Sequence, residues 1–284
     1  MAQGSKKSRE TLAALLRDWQ PRSHHGKKIA LSKFDPGAKP LSSGDKRADG
    51  RAIEALAIDI DRLQDLLFAD KRFKVLVVLQ GLDAAGKDGT IRHVFGRVSP
   101  LGVQTASWKA PTPDERAHDF LWRIHQRVPA AGDLVIFNRS HYEDVLVPAV
   151  NGDLKPQQVQ VRLRQINDFE RMLSENGTVL LKFMLHISPD EQCKRLQARL
   201  DDPAKAWKFR PDDLQVRQQW PAYMRAYETL LNETSTDIAP WTIVPADSKT
   251  HRNLMIGTVV RDALDSLGLR YPPPDPRLAG LKVA

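Results

Sequence analysis

Cysteine is nearly missing from the chain: Cys193 stands alone among 284 residues. That excludes an intramolecular disulfide and any cysteine-cluster metal site. Cys193 falls in the helical pattern PDEQCKRLQARL and is expected to pack rather than to react. The eight histidines show neither HxH nor HxxxH spacing, so the usual sequence signal for zinc is absent. No apolar run approaches the roughly 20 residues that cross a bilayer. The basic start MAQGSKKSRETLAALL has no signal-peptide core and no small-residue cleavage site, so the expected location is cytoplasmic, with no membrane partner. Repeats and low-complexity tracts are missing. Aromatic residues, 7% of the total, are not interleaved with Lys and Arg as single-strand binding requires, and nucleic acid is not an expected partner.

What the chain does have is positive charge. Its 43 Lys and Arg exceed 35 Asp and Glu, a formal net charge of +8, which points to an anionic partner. Residues 1–50 hold eleven Lys and Arg against five Asp and Glu. Mixed with Pro, Gly and Ser, this segment reads as a basic wrapping arm. The length suits one large domain with appendages: the arm, a core over 51–270, and a tail over 271–284 in which YPPPDP cannot continue a helix.

From Arg51 to Lys71 the apolar residues recur at mostly helical spacing. Five short apolar runs follow, at 75–80, 103–108, 133–138, 179–187 and 241–246. Helical patterns alternate with them, at 113–127, 156–175, 189–200, 212–231 and 249–267, and GTIRHVFGRV reads as another. Alternation of this kind predicts an α/β fold: a mostly parallel, about five-stranded sheet covered by helices on both faces.

The run VLVVLQ ends at LQGLDAAGKDGT. Strand, glycine loop and helix in succession are the context in which such a loop holds phosphate: backbone N–H groups converge, the helix N-terminus is partly positive, and Lys87 supplies a mobile cation. The phosphate-binding candidates are Gly81, Ala84, Ala85, Gly86, Lys87, Asp88 and Gly89. The pattern departs from the usual one, which places Ser or Thr after the lysine. Here Asp88 follows it, and Asp83 lies inside the loop.

A second group, IFNRSHYEDVLV, closes the third apolar run. In an open parallel sheet ligands bind beyond the carboxyl ends of the strands. Asn138, Arg139, Ser140, His141, Tyr142, Glu143 and Asp144 are therefore expected to face the loop's crevice, with Arg139 balancing charge on a transferring phosphoryl group. For His141 a satisfied structural role stands equally open. A third segment, RLQARLDDPAKAWKFRPDDL at 195–214, is basic and broken by Pro203, and reads either as a lid that closes over phosphate or as an exposed charged loop.

GLDAAGKDGTI, FNRSHYEDVLV, RLDDPAKAWKF and APWTIVPADSKTHRN together resemble the polyphosphate kinase 2 family, over about Phe34 to Leu267. The resemblance implies a thymidylate-kinase-like P-loop fold with a helical lid. It also implies a magnesium-dependent phosphotransferase acting between inorganic polyphosphate and nucleotides (AMP, ADP or ATP), assembled as a homodimer or homotetramer. Asn138, where many relatives carry Asp, resembles the branch that phosphorylates both AMP and ADP. On this reading Lys87, Arg139 and Arg199 hold the transferring group and Asp83 organises the metal. Asp88 replaces the missing hydroxyl or caps the helix, and Asn138, His141, Glu143 and Asp144 serve the nucleotide side. A carboxylate binds magnesium as readily as a hydroxyl does. Lys27, Lys28, Lys71, Arg72 and Lys109 are expected to line a groove for the polyanion. An ATP-dependent small-molecule kinase on the same fold is the competing reading.

Overall fold

A computed structural model describes residues 14–22 and 28–283. Among them lie a helical segment at 14–17 (α1) and the helices α2 (Lys46–Asp70), α3 (Lys87–Val94), α4 (Pro113–Ala117), α5 (Trp122–His125), α6 (Glu143–Asn151), α7 (Pro156–Glu175), α8 (Pro189–Leu200), α9 (Asp212–Gln218), α10 (Trp220–Thr234) and α11 (Lys249–Ser266). The strands are β1 (Lys74–Gln80), β2 (Val103–Ser107), β3 (Leu134–Asn138), β4 (Thr178–His186) and β5 (Trp241–Pro245).

The five strands form one sheet in the order β2-β3-β1-β4-β5, and every pairing is parallel. β1 is central, with Val77 opposite Ile136 on one side and Leu181 on the other. Its residues from Val75 onward are all buried, as a strand covered on both faces requires. One face packs under α2, α3 and α11 through Ile60, Leu67, Val94, Met255 and Val260; the other packs under α6, α7 and α10 through Leu146, Ile166, Leu230 and Tyr227. The chain leaves β1 for β2 and β3 on one side, then crosses to β4 and β5 on the other. The loops after β1, β3, β4 and β5 consequently gather at one edge.

Local chemistry sets the helix starts at that edge. Ser188 and Ser248 accept from the main-chain N–H of Glu191 and His251, capping α8 and α11. At α2 the cap is Asp45, which accepts from Arg47 N–H, so the helix begins five residues before the expected start, inside the arm. Its first turn carries no apolar stripe, and periodicity could not have found it. The expected helix at 113–127 is two short ones, and the one at 212–231 breaks at Gln219. α6 was not anticipated. It contains Pro148 and follows a turn, and its nine residues are too few to show a period clearly.

Cys193 corrects an expectation: its side chain is exposed. α8 turns Gln192, Arg195 and Leu196 inward, which leaves Cys193 on the outer face. Among the described residues no helix is long and apolar enough to cross a membrane.

Candidate active site

The loop after β1 is shaped by its backbone. Gly81 has φ +150°, and a Cβ there would lie 2.8 Å from the Leu185 carbonyl oxygen. Ala84 takes φ +66° without being glycine. Such left-handed residues persist where surrounding contacts over-determine them, often at ligand sites. Gly86 ends the loop at φ +109° and begins α3, whose first turn carries Lys87 and Asp88. Lys87 is buried, and its Nζ donates to the carbonyls of Gly81 at 2.6 Å and Leu82 at 3.3 Å. Burial, then the charge of Arg139, lowers the Lys87 pKa, against the opposing pull of Asp83, Glu143 and Asp88.

The turn after β3 faces this loop. Arg139 also sits in the left-handed region, at φ +65°, and its N–H donates to the Leu79 carbonyl of β1 at 3.0 Å. Its Nη2 donates to Asp83 Oδ1 at 2.6 Å, and its Nη1 lies 3.6 Å from Glu143 Oε2. Burial works against the Arg139 charge, but Glu143 and Asp83 outweigh it and hold the guanidinium firmly protonated. For Asp83, burial pushes the pKa up; Lys87 and Arg139 more than reverse that, so the carboxylate stays ionised. Arg199 on α8 adds to that lowering through its charge. Glu143 is fixed from behind by Gln80 Nε2 at 2.9 Å, and Ser140 Oγ donates to Gln80 Oε1 at 3.3 Å.

Asp88 is not a helix cap: α3 has no side-chain cap. Its carboxylate is 70% exposed, accepts from Asn138 Nδ2 at 2.8 Å and lies 3.9 Å from Lys208 Nζ. The loop, the turn after β3 and the segment after α8 therefore meet at Asp88. In the basic segment 195–214, residues 195–200 belong to α8, with Arg195 buried, so the exposed span is 201–211. There Trp207 is 76% exposed, beside Lys208.

Other expected residues lie elsewhere. His141 does not face the crevice: it is fully buried, its ring Nε2 3.2 Å from Glu170 Oε1. Asp144 is held by Arg123 Nη2, at 3.0 and 2.9 Å to its two oxygens, and burial raises its pKa by more than that pairing lowers it. Its oxygens tie α6 to α5 instead of addressing a nucleotide. Lys71 and Arg72 precede β1 and so occupy the end of the sheet opposite the loop; Arg72 donates to Asp70 at 2.5 Å and to the Gly268 carbonyl at 3.0 Å. They cannot line a groove at the loop. Lys109 follows β2 and is exposed on the loop's edge. Lys28 is exposed next to Ile29, whose N–H donates to Asn232 of α10. Lys27 lies outside the described residues.

Sequence reasoning missed the groups that support the loop from behind. Gln192 Nε2 donates to the Asp83 carbonyl at 3.0 Å, and Arg195 Nη1 to those of Ala84 and Ala85 at 3.0 and 3.2 Å. Arg252 of α11 reaches the Ala85 carbonyl at 3.1 Å. The one available signal was position: each lies on the helix that follows a β-strand at the ligand edge. Beneath the turn after β3 is a second missed group. Lys182 Nζ donates to Glu170 Oε2 at 2.6 Å, Tyr142 Oη at 2.9 Å and the Thr234 carbonyl at 2.8 Å, and Tyr142 Oη donates to Glu170 Oε1 at 2.7 Å.

The fit of a magnesium ion turns on donor chemistry. Among the described residues no three His, Cys, Asp or Glu side chains converge as a metal cage. Asp83 and Asp88 do offer hard oxygen donors at the loop, and magnesium is usually held by one or two carboxylates together with substrate phosphates. These residues fit an ion that arrives with a phosphate substrate.

A parallel sheet with a glycine loop, buried lysine and facing arginine at its ligand edge defines a P-loop phosphotransferase type of fold and site. Residues 43–270 match the model of the polyphosphate kinase 2 family. The chain is 52% identical over 252 residues to an AMP/ADP-polyphosphate phosphotransferase of Meiothermus ruber, covering 87% of this chain and 93% of the relative. It is 40% identical to an ADP-polyphosphate phosphotransferase of Rhodopseudomonas palustris, covering 90% and 93%. The crystal structure of polyphosphate kinase 2 from Arthrobacter aurescens superposes with a TM-score of 0.84 at 43% identity, over 90% of this chain and 94% of that one. The chain belongs to the polyphosphate kinase 2 family.

Proposed function

We propose that this protein transfers the terminal phosphoryl group of inorganic polyphosphate to AMP and to ADP, with magnesium. The observation that carries the reading is the grouping of Lys87, Asp83, Arg139 and Glu143 across the crevice between the loop and the turn after β3. The relatives named above, aligned over nearly their whole length, supply the substrate classes.

Phosphoryl transfer asks for positioning and charge neutralisation more than for covalent chemistry. Lys87 leaves the loop carbonyls and contacts the phosphate that enters the loop, exchanging two neutral acceptors for an anionic one. Arg139, clamped between two carboxylates, keeps its charge and direction, so little reorganisation is needed as negative charge shifts during transfer. Arg199 and Lys208 approach from the side of 201–211 and close the positive surround. Asp83 and Asp88 would hold the magnesium, which would neutralise phosphate charge and help orient the chain. Glu143, fixed by Gln80, and Asn138, fixed on Asp88, line the acceptor side.

The test is to incubate AMP and ADP separately with magnesium and either polyphosphate or ATP as donor, and to separate the nucleotides. Formation of ADP from AMP and ATP from ADP with polyphosphate is the expected result. Turnover with ATP alone would favour the small-molecule kinase reading instead.

A further inference from the structure

Arg252 lies on α11 behind the phosphate loop and is 2% exposed. Its Nη1 donates to the Ala85 carbonyl at 3.1 Å, while Nε and Nη2 donate to Asn253 Oδ1 at 3.1 and 2.9 Å. The guanidinium is packed so tightly that a Cβ on Gly86 would fall 1.8 Å from Nη1, and one on Gly89 3.1 Å from Nη2. Glycine at Gly86 thus does two things: it takes the left-handed backbone and it admits a cation under the loop.

A buried guanidinium is costly unless a carboxylate accompanies it. The side-chain acceptor here is the amide oxygen of Asn253, which satisfies hydrogen bonds and leaves the charge in place. The neighbouring charges make matters worse. Arg195 is buried beside it, also on loop carbonyls, with its own partner Glu191 at 2.7 Å. Burial and then Arg195 pull the Arg252 pKa down to about 9. Burial and then the charges of Arg195 and Arg252 lower that of Lys249. A positive field therefore stands behind a loop whose other face is open to anions.

We propose that Arg252 is a positioning residue for the phosphate chain: Asn253 leaves its charge unneutralised in the free protein, and the bound polyphosphate balances it through the loop. The inference rests on the polyphosphate reading above and deepens it. Arg252 touches no substrate. It holds the Ala85 carbonyl back toward α11, away from the phosphate face of the loop, and adds its positive potential from behind that loop.

The decisive variant is Asn253→Asp, which keeps the size and the acceptor while pairing the cation internally. The readouts are the free protein's Tm and the Kd for inorganic polyphosphate by calorimetry at fixed salt. We expect a Tm equal to or above wild type, and polyphosphate binding weakened about 10-fold or more. Unchanged Kd in the folded variant overturns the proposal. Arg252→Lys and Arg252→Gln form a second arm, since both lose the fork and only lysine keeps the charge: the lysine variant should bind polyphosphate several-fold more tightly, and equal binding overturns the idea. Failure of all three variants to fold also counts against it, because it marks the pair as purely structural. Wild-type protein that binds no polyphosphate would instead overturn the function proposed above, a separate outcome.

Discussion

Two ionic clusters meet at the turn after β3, one on each side of it, and they are made of the same kinds of residue. On the crevice side Lys87 is buried, but Arg139, Asp83 and Glu143 are partly open to water, with Arg139 and Asp83 retaining 36% and 27% of their side-chain exposure. On the core side, Lys182 and Glu170 are at 0% and 1%, joined by Tyr142 and His141. Around Lys182 and Glu170 the buried cluster is closed: every donor of the Lys182 ammonium has an acceptor and both Glu170 oxygens are used, and only the ring Nδ1 of His141 at its margin has no partner. The open cluster is unfinished. Lys87 rests on carbonyls, and Asp88 remains largely in solvent. A complete network gains nothing from a ligand and serves to hold backbone in place, whereas an incomplete one of mixed charge is where a phosphate chain with its cation can bind.

Breaking the closed cluster should produce the largest effect, and on stability. Lys182→Ala leaves Glu170 buried with no cation, which costs about 3–5 kcal/mol; chemical denaturation is expected to show this loss, and a midpoint within error of wild type would contradict the role given to the pair. Breaking the open cluster should spare stability and remove activity. Lys87→Ala is expected to lower kcat about 100-fold or more while the denaturation midpoint stays put, and a folded variant with near-normal turnover would refute the loop assignment. Asp83→Asn should reduce turnover too, and should shift the magnesium concentration needed for half-maximal rate; an unaltered magnesium dependence would remove Asp83 from the metal.

A subtler change sharpens the contrast within the crevice. Asn138 donates to Asp88, so Asn138→Asp sets two carboxylates against each other where one hydrogen bond stood. AMP must bring its single phosphate closer to this point than ADP brings its terminal one. The ratio of initial rates with AMP and ADP, polyphosphate in excess, should fall several-fold in the variant. Equal losses in both rates would refute the selectivity argument. The smallest effect belongs to Arg72→Ala. The residue sits at the far end of β1, and KM for polyphosphate is expected to stay at the wild-type value, while Lys109→Ala raises it modestly; a rise with Arg72→Ala as large as that with Lys109→Ala would revive the longer groove.

The strands, the loop and most helices were legible because each is announced locally. Buried parallel strands read as aliphatic runs, and Gly81 and Gly86 mark backbone that other residues resist. The family was legible as well, through four ordered motifs. Which way side chains of a single motif point was not: in NRSHYED, Arg139 and Glu143 reach the crevice, whereas His141, Tyr142 and Asp144 turn to the core or to Arg123. The turn between β3 and α6 breaks both the strand and the helix period, so no periodicity assigns its faces.

By itself, then, the sequence determined the alternation of strands and helices, the phosphate loop and its lysine, and membership of a family, since these depend on residues close together along the chain. Only the tertiary structure decided which charges meet. Arg252 reaches Ala85 across 167 positions, and Lys208 comes within 3.9 Å of Asp88. Lys71 and Arg72, near the loop in sequence, are carried to the opposite edge by a strand that rises about 3.3 Å per residue. Charge acts through space with little regard to chain order, and a parallel sheet brings distant loops to one edge while sending adjacent residues to the other.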